Sequence, residues 1–416
     1  MKTNRLSIGL LILTALLCGF PSLLPAAALK RIVIGHPEAL SGQYAKAGEQ
    51  AIGGIQAAVE WVNTVHGGVR IEGRQIPLDY KFYDCESRKE SVTSLLERLI
   101  TSDKVHFTMA PYSSGLTLAG APVTEKYGMI YLNHGGASDK IFEQGFEYIV
   151  QTIGPGSQYH AGTLEMIRHL DPKAKRLALA YEDSEFARSV MDGAEAKAKQ
   201  LGFQIVFKRT YPQAVADLTP LLSDLKASNP EIVLGGGHFQ DGQLLNKQLA
   251  DLKINVKLLS LIAAATLPAF GNALGPLAEG VMGPSHWEYG VTFSPEAAQK
   301  NELPWIGPEQ DEFVNLFKKA TGQELIPDYH AAEAAAAVLA LVAAVEKAGS
   351  VDSDLVRKAF GELEFMSFYG TWKIDATGKQ VGHDMVDVQW QQGERKIVWP
   401  LATKTADVVY PKPRFK

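Results

Sequence analysis

The chain contains 416 residues, of which 46% are hydrophobic and 21% are charged, a composition typical of a globular protein long enough for two domains. Its 46 acidic and 41 basic residues leave a small negative charge, which argues against a nucleic-acid-binding surface. The same composition disfavours disorder of the main body, because it supplies enough apolar surface for a core.

The first 28 residues have the features of a secretory signal peptide. Lys2 and Arg5 precede an uncharged run over residues 6–29, and residues 26–28 form an A-x-A cleavage pattern. A transmembrane anchor is the competing interpretation, but glycine and proline break the run before it reaches the roughly twenty apolar residues that span a bilayer. A lipoprotein signal at Cys18 is disfavoured because bulky leucines precede it. We expect cleavage after residue 28.

The mature chain would carry 39 basic and 46 acidic residues, a formal net charge of −7, once Lys2 and Arg5 are removed. Cys85 is then its single cysteine, so no internal disulfide can form even in an oxidising compartment. The hydrophobic core must therefore provide the stability.

Hydrophobic periodicity predicts two successive α/β units, the pattern of parallel sheets covered by helices. In the first unit, strands are predicted at 31–35, 77–83, 105–111 and 129–133, and helices at 48–65, 89–101 and 115–127. In the second, strands are predicted at 176–180, 204–207, 231–235 and 256–260, and helices at 184–201, 217–227 and 242–251.

The order of elements changes after residue 284. Helices are predicted at 309–320 and 329–348, the latter rich in alanine, and strands at 370–374, 386–390 and 396–399. Late helices without strands of their own must pack on an existing sheet. We expect the helices to return to the first unit and the strands to join the second.

Two glycine-bearing turns at strand ends mark a candidate ligand site in the first unit. One is Tyr112-Ser113-Ser114-Gly115, and the other is His134-Gly135-Gly136-Ala137-Ser138. In open parallel sheets, ligands bind at the carboxyl ends of the strands, where turns and helix N-termini present N–H groups. A third glycine turn, ending in Gly237-His238, follows a strand of the second unit. Ser113 and Ser114 are equally well explained as helix caps.

Four aromatic residues occupy turn positions rather than core faces, and together they would form a stacking pocket. They are Tyr44, Tyr112, Phe186 and Phe239. Each of the two strand-end histidines, His134 and His238, could instead be an ordinary hydrogen-bonded loop residue.

Signatures of catalysis and metal binding are missing from the sequence. It has neither a G-x-S-x-G elbow nor a P-loop, and Gln240 replaces the last glycine of a G-x-G-x-x-G motif. The ten histidines lack H-E-x-x-H or a similar ligand spacing. We therefore expect neither an enzyme nor a cofactor or metal site.

With these motifs in order, the mature chain resembles the Leu/Ile/Val-binding family of periplasmic solute-binding proteins of ABC importers. The resemblance rests on the opening I-V-I-G…L-S-G…A-I-G-G-I-Q-A-A-V-E-W-V-N, the Tyr112 turn and the segment Tyr181 to Phe186. It implies the type I fold of two Rossmann-like lobes joined by three crossovers, near residues 151–154, 283–287 and 369–372. Lobe one would comprise 29–151 and 284–368, and lobe two 152–283 and 369–416.

The resemblance also implies a periplasmic, monomeric receptor that closes on a small ligand and docks on membrane permease subunits. Amino-acid binders of the family hold the carboxylate with a serine turn and a nearby threonine, and the ammonium with a lobe-two glutamate. Ser113 and Ser114 match the serine turn, and Ala137 beside Ser138 takes the threonine position. The stretch at 261–265, where the acid should lie, is entirely apolar. The carboxylate half therefore looks kept and the ammonium half lost.

An amino-acid ammonium buried without a carboxylate would cost several kcal/mol, so we predict a carboxylate ligand with an aromatic or apolar body. The predicted ligand-binding residues are Tyr44, Tyr112, Ser113, Ser114, His134, Gly135, Gly136, Ala137, Ser138, Phe186, Gly237, His238, Ile262 and Ala263. If the lobe-two alignment is shifted, Glu182, Glu185 or Asp241 could supply the charge and the ligand would be an amino acid. A ligand-sensing receptor of the same fold is the other alternative.

Overall fold

The computed structural model describes residues 29–415, and in this range the predicted alternation of strands and helices is present. The predicted signal peptide, residues 1–28, lies outside that range. Further elements that the sequence did not predict include strands at 149–151 and 282–285 and a helix at 161–170. From Arg31 onward the chain clusters as a single unit.

Within residues 29–415 the chain forms sixteen strands. In chain order these are β1 (Ile32–Glu38), β2 (Val69–Ile71), β3 (Arg74–Ile76), β4 (Leu78–Asp84), β5 (Phe107–Ala110), β6 (Tyr131–Asn133), β7 (Ile149–Gln151), β8 (Arg176–Glu182), β9 (Gln204–Tyr211), β10 (Ile232–Gly236), β11 (Leu258–Leu261), β12 (Met282–Ser285), β13 (Glu364–Ser367), β14 (Gly370–Lys373), β15 (Val386–Gln391) and β16 (Glu394–Trp399).

The same range contains twelve α-helices, with short 3₁₀ turns between some of them. They are α1 (Ala45–Thr64), α2 (Lys89–Thr101), α3 (Ser114–Lys126), α4 (Ala161–Leu170), α5 (Glu185–Gln200), α6 (Thr219–Ala227), α7 (Phe239–Asp251), α8 (Pro268–Leu274), α9 (Pro295–Lys300), α10 (Gln310–Thr321), α11 (Tyr329–Ala348) and α12 (Ser353–Gly361).

Two separate sheets form the framework, and each has a point where the strand order reverses. The first has the order β4-β1-β5-β6-β7 with parallel pairing throughout. The second has the order β16-β15-β12-β11-β10-β8-β9, in which β15 and β16 are antiparallel additions. The crevices therefore lie beside β1 and β5 in the first sheet and beside β8 and β10 in the second.

The late elements return largely as the sequence predicts. Helices α10 and α11 pack against α1 of the first sheet, and β15 and β16 join the second sheet. The strand predicted at 370–374 is the exception: β14 pairs with β13 in a separate two-stranded ribbon, so its assignment to the second unit is wrong. The lobe boundaries predicted from the resemblance stay a prediction.

Close packing of α1 against α10 and α11 is made possible by glycine. A Cβ on Gly54 would lie 2.0 Å from the carbonyl oxygen of Ala331, and one on Gly53 would lie 2.6 Å from the Phe317 ring. Helix α11 itself is fixed at both ends, because Asp328 accepts a hydrogen bond from the His330 N–H at 2.9 Å and Gly349 ends it with a φ of 61°.

Among residues 29–415, no single helix is long and apolar enough to cross a membrane. The bent pair α11 and α12, which meet at 106°, passes the same test by length and composition only. Both faces of α11 are buried within the protein.

We expect Gly54→Val to destabilise the protein by about 2 kcal/mol or more. Its Cβ would collide with the backbone carbonyl of Ala331, which cannot move aside as the end of a flexible side chain can. Urea denaturation of the mature protein measures the change in the free energy of unfolding. Gly361→Ala is the control, since a Cβ there meets nothing within 4 Å. Equal stability of both variants would contradict the packing argument.

Candidate ligand-binding site

The two crevices face each other, and four rings from opposite sheets meet between them. The His238 ring, at the start of α7, lies 4.7 Å from the Tyr44 ring and 5.7 Å from the rings of Tyr112 and Phe186. Tyr44 and Tyr112 come from the first-sheet side, and Phe186 and His238 from the second. We call these four residues the aromatic cage.

His238 is held by two carboxylates of the second sheet. Its Nδ1 lies 2.5 Å from Glu182 Oε2, and its backbone N–H donates to Asp241 Oδ1 at 2.7 Å. Tyr211 donates to the other Asp241 oxygen at 2.7 Å. A Cβ on Gly237 would lie 2.4 Å from that of Glu182, so glycine lets the turn approach this carboxylate.

This arrangement favours a charged imidazole. Burial lowers the pKa of His238, but the charge and hydrogen bond of Glu182 outweigh it and leave that pKa raised. Burial alone would raise the pKa of Glu182. The charge of His238 and the hydrogen bond with it have the larger, opposite effect, so the pKa of the Glu182 carboxyl is lowered. Burial and the neighbouring charge of Glu182 raise the pKa of Asp241 to about 6. The other ring nitrogen, His238 Nε2, is buried without a hydrogen-bond partner among the described residues.

Outside the cage lies a cleft of about 390 Å³ into which the N-termini of two helices open. Its lining residues are Gln43, Tyr44, Ser87, Lys89, Ser113, Gly115, Leu116, Lys140, Asp183, Ser184, Glu185, Phe186, Arg188 and Gln213. Ser113 and Gly115 begin α3, while Ser184 and Glu185 begin α5. Free N–H groups at helix starts favour an anion.

The cleft is bridged by polar contacts between the two sides. Gln213 donates to the Tyr44 hydroxyl at 3.3 Å, and Lys140 pairs with Glu185 at 3.1 Å. The Ser189 hydroxyl donates to Asp139 at 2.8 Å. The two sides are therefore in direct contact.

Behind the cage lies a second cluster of aromatic, histidine and acidic side chains, which we call the inner cluster. Its members are Tyr159, His286, Tyr329, His330, Glu333, Tyr369 and His383. Ring contacts link it to the cage, since Tyr159 lies 5.3 Å from Phe186 and His330 lies 5.0 Å from Tyr112. Several of its polar atoms are buried and lack hydrogen-bond partners within the described chain.

A third buried cluster joins His36, Glu38 and His134 at the ends of β1 and β6. Both histidine Nε2 atoms lie 3.3 Å from Glu38 Oε2. Burial raises the pKa of Glu38, but the charge of His36 and the histidine hydrogen bonds outweigh it and lower that pKa to about 2. The set could hold a metal ion by spacing, as could Glu182, His238 and Asp241. In both sets, hydrogen bonds within the protein already explain why the residues lie together. Glu38 also accepts from the backbone N–H of Ala39 at 2.6 Å, and Glu182 and Asp241 are bonded to His238.

The turn predicted at His134 to Ser138 is built for packing rather than for direct access. A Cβ on Gly135 would lie 2.9 Å from Tyr112 Cα, and one on Gly136 would lie 2.7 Å from Thr117 Oγ1. The five turn residues are all buried. Gly135 therefore lets the turn approach Tyr112, and Gly136 lets it approach Thr117. A contact of these glycines with the ligand stays a prediction.

The two predicted serines differ in their surroundings. Ser113 lines the cleft and makes no capping hydrogen bond through its side chain. Ser114 is buried, and its hydroxyl accepts from the Ser138 N–H at 3.0 Å. Ser113 therefore occupies the predicted N-cap position of α3, but its side chain does not cap the helix, and Ser114 is the first residue of the helix. Ser114 ties the two predicted turns together, whereas Ser113 is available to the cleft.

The remaining predicted positions are buried on both sides of the cleft. Ile262 and Ala263 follow β11 and are buried, and the Ile262 N–H donates to Gly235 at 3.0 Å. Ala137 is buried, and its carbonyl accepts from the Gly156 N–H at 2.6 Å. Phe239 does not join the cage; it packs against the hydrophobic core of the second sheet, so its expected place in a stacking pocket is wrong.

Sequence reasoning missed the inner cluster and Lys89. Tyr159, His286 and Tyr369 lie in or near the predicted crossover segments. Because these segments run between the two lobes, polar side chains in them could have been predicted as candidate site residues. Glu333 gave a clearer one, since it is an acidic residue within the apolar stretch of α11. Lys89 had no signal: its Cε comes within 3.7 Å of a Cβ position on Gly115 only through folding.

A family model described as periplasmic binding protein matches residues 31–395. The curated Leu/Ile/Val-binding protein homolog 7 of Brucella abortus (strain 2308) is 26% identical over 401 residues, covering 93% of this chain and 96% of the relative. The chain is also similar to solved structures of the type I fold.

One of these solved structures is the branched-chain amino acid binding protein LivJ of Streptococcus pneumoniae in complex with isoleucine. It has a TM-score of 0.74 at 20% identity and covers 92% of this chain and 100% of its own. Another is a solute-binding protein of R. palustris in complex with 4-hydroxybenzoate, with a TM-score of 0.72 at 20% identity and coverage of 92% and 98%. The chain therefore belongs to the periplasmic binding protein family, a family of substrate-binding receptors, and has its two-lobed type I fold.

Proposed function

We propose that this protein is the solute-binding receptor of an ABC importer and closes on a small carboxylate ligand. The observation that carries the proposal is His238 Nε2, a buried nitrogen without a partner among residues 29–415, on a ring that packs against the rings of Tyr44, Tyr112 and Phe186. Because Glu182 holds Nδ1, a protonated His238 would present an N–H to an anion.

The surroundings support an acid with an apolar or aromatic body. Ser113 and Gly115 begin α3 at the cleft, and Lys89 adds a positive charge beside them. The cage rings offer apolar faces for the ligand body. Isoleucine and 4-hydroxybenzoate, the ligands of the two solved relatives, both carry a carboxylate.

Closure would couple binding to transport. A receptor whose closed form leaves polar groups unpaired favours closure only when a ligand pairs them. The closed form would then dock on permease subunits in the membrane. A cleaved signal peptide and a periplasmic location belong to the same proposal and agree with the family.

We expect His238→Gln to weaken binding of the stabilising acid by at least about tenfold, because a charge-assisted hydrogen bond is lost. The mature protein, freed of carried-over ligand by unfolding and refolding, is screened by thermal shift with benzoate, 4-hydroxybenzoate, leucine and isoleucine, and the affinity is then measured by calorimetry. Deletion of the gene should abolish uptake of the same acid. Stabilisation by none of the four compounds, or uptake unchanged by deletion, would count against the proposal.

We expect affinity for the acid to fall by about tenfold as the pH rises from 6 to 9, through the raised pKa of His238, while the ligand carboxylate stays ionised. Ionisation of Asp241, whose pKa is about 6, works in the same direction. The groups facing His238 are Glu182, Asp241, Tyr44 and Tyr112.

Calorimetry across this range on wild type, His238→Gln and Asp241→Asn separates the two groups. The pH dependence should persist in Asp241→Asn, and in His238→Gln it should shrink to the part that ionisation of Asp241 contributes. A dependence of undiminished size in His238→Gln would assign the effect to another residue.

We expect Phe186→Ala to weaken binding by about tenfold, since removal of one cage ring forfeits a stacking contact and its buried area. Phe239→Ala, one residue after His238 but packed on the core, is the matched control and should leave the affinity unchanged. The same loss of affinity in both variants would place the ligand elsewhere.

A further inference from the structure

Glu333 is a buried acid whose two carboxylate oxygens have no hydrogen-bond partner among the described residues. It lies on α11, one helical turn after Tyr329 and His330, so the three side chains share a face of the helix. A carboxylate buried without a donor costs several kcal/mol, and such groups in native proteins call for an explanation.

The charges around Glu333 do not neutralise it. Burial, then the charges of Asp328 and Glu38, raise its pKa well above the usual value. Within the described chain, Glu333 forms no ion pair with lysine or arginine. Two imidazoles of the inner cluster stay neutral, since burial lowers the pKa of His286 and that of His383, the latter to about 4.

The neighbours of Glu333 share its lack of partners. Burial, and next the charge of Glu333, raise the pKa of both Tyr159 and Tyr369, which places these two hydroxyls within its electrostatic reach. Both hydroxyls are buried and unpartnered, as is His330 Nε2. His330 Nδ1 lies 3.2 Å from Asp328 Oδ1, and donation there leaves Nε2 as an acceptor. The two Glu333 oxygens and His330 Nε2 are therefore three acceptor atoms without a hydrogen bond among the described residues, and the two tyrosine hydroxyls, although able to donate, bond to none of them.

The inner cluster is separated from His238 by one ring. Tyr112 lies between them, 5.7 Å from the His238 ring and 5.0 Å from the His330 ring. A ligand whose carboxylate reaches His238 and whose body lies along Tyr112 would direct its other end toward His330 and Glu333.

We propose that Glu333 receives a hydrogen-bond-donating group, a hydroxyl or an ammonium, at the end of the ligand opposite its carboxylate. This inference rests on the proposed function and narrows the ligand to hydroxy- or amino-substituted acids. It also revises the expectation of a lost ammonium site: residues 261–265 carry no acid, but α11 of the other side supplies one.

Three matched acids test the inference by calorimetry: 4-methylbenzoate, 4-hydroxybenzoate and 4-(aminomethyl)benzoate. They share carboxylate and ring and differ at the far end, so their affinity ratios report that end alone. Wild type should bind the hydroxyl or the ammonium compound at least about tenfold more tightly than the methyl compound. Glu333→Leu should abolish or reverse this preference. Glu333→Gln keeps an acceptor oxygen but removes the charge, so it should keep a preference for the hydroxyl compound and lose one for the ammonium compound. This variant therefore shows whether the ligand group at Glu333 is a hydroxyl or an ammonium.

The ligand-free stability gives an independent readout. If Glu333 serves the ligand, Glu333→Leu should raise the melting temperature of the empty protein by about 2 °C or more, since an unpartnered acid is removed. A structural role would lower it. Asp387→Asn is the control, because that buried acid, with a pKa raised by burial to about 7, is bonded to Thr163 and should not affect ligand preference.

Each outcome bears on one proposal. An affinity ratio unchanged in Glu333→Leu, or a wild type that prefers the methyl compound, would overturn the role of Glu333 while leaving the acid receptor intact. Binding of none of the three acids by wild type would instead refute the aromatic-acid receptor itself.

Discussion

A polar group removed from water must find a partner, and this constraint governs the cleft of the protein. Between the two sheets the chain buries an imidazole nitrogen at His238, a carboxylate at Glu333 and hydroxyls at Tyr159 and Tyr369, all unpaired within the described residues. Elsewhere buried charges are compensated, as at Glu38, which collects hydrogen bonds from two histidines and the backbone. The unpaired groups between the two sheets are the observations on which the proposed ligand site rests.

Close backbone packing fixes these groups in position. Gly237 lets its turn approach Glu182, so that the carboxylate reaches His238, and Gly135 does the same for the turn beside Tyr112. Ser114 joins the two first-sheet turns through Ser138. These residues shape the cleft without lining it, which is why a glycine or serine at a strand end need not touch a ligand. Their substitution would displace the groups that do.

Charge is divided between the two sides of the cleft. The second sheet supplies the Glu182–His238 pair, and the first supplies the start of α3, with Lys89 above it, together with Glu333 on α11. The carboxylate of a ligand in the proposed site would engage His238 of the second side and the start of α3 of the first. The donor group at its other end would engage Glu333 on α11. Such a ligand joins the two sides more strongly than it binds either alone, which is the requirement for closure.

The sequence by itself predicted the family and the two-sheet architecture, and both are confirmed. It also predicted a secretory leader, which stays a prediction. Periodicity located most strands of both sheets and the helices α2 and α11, because these features depend on local apolar spacing, but it missed β7 and β12. It also identified Tyr44, Tyr112, Phe186 and His238 as residues at strand or helix ends. Only the tertiary structure decided which of these meet, and it excluded Phe239 from the cage and placed β14 in a separate ribbon. Glu333 and Lys89 depend on contacts across long separations in sequence. Their surroundings follow from how two sheets and a late helix pack, which no local pattern encodes.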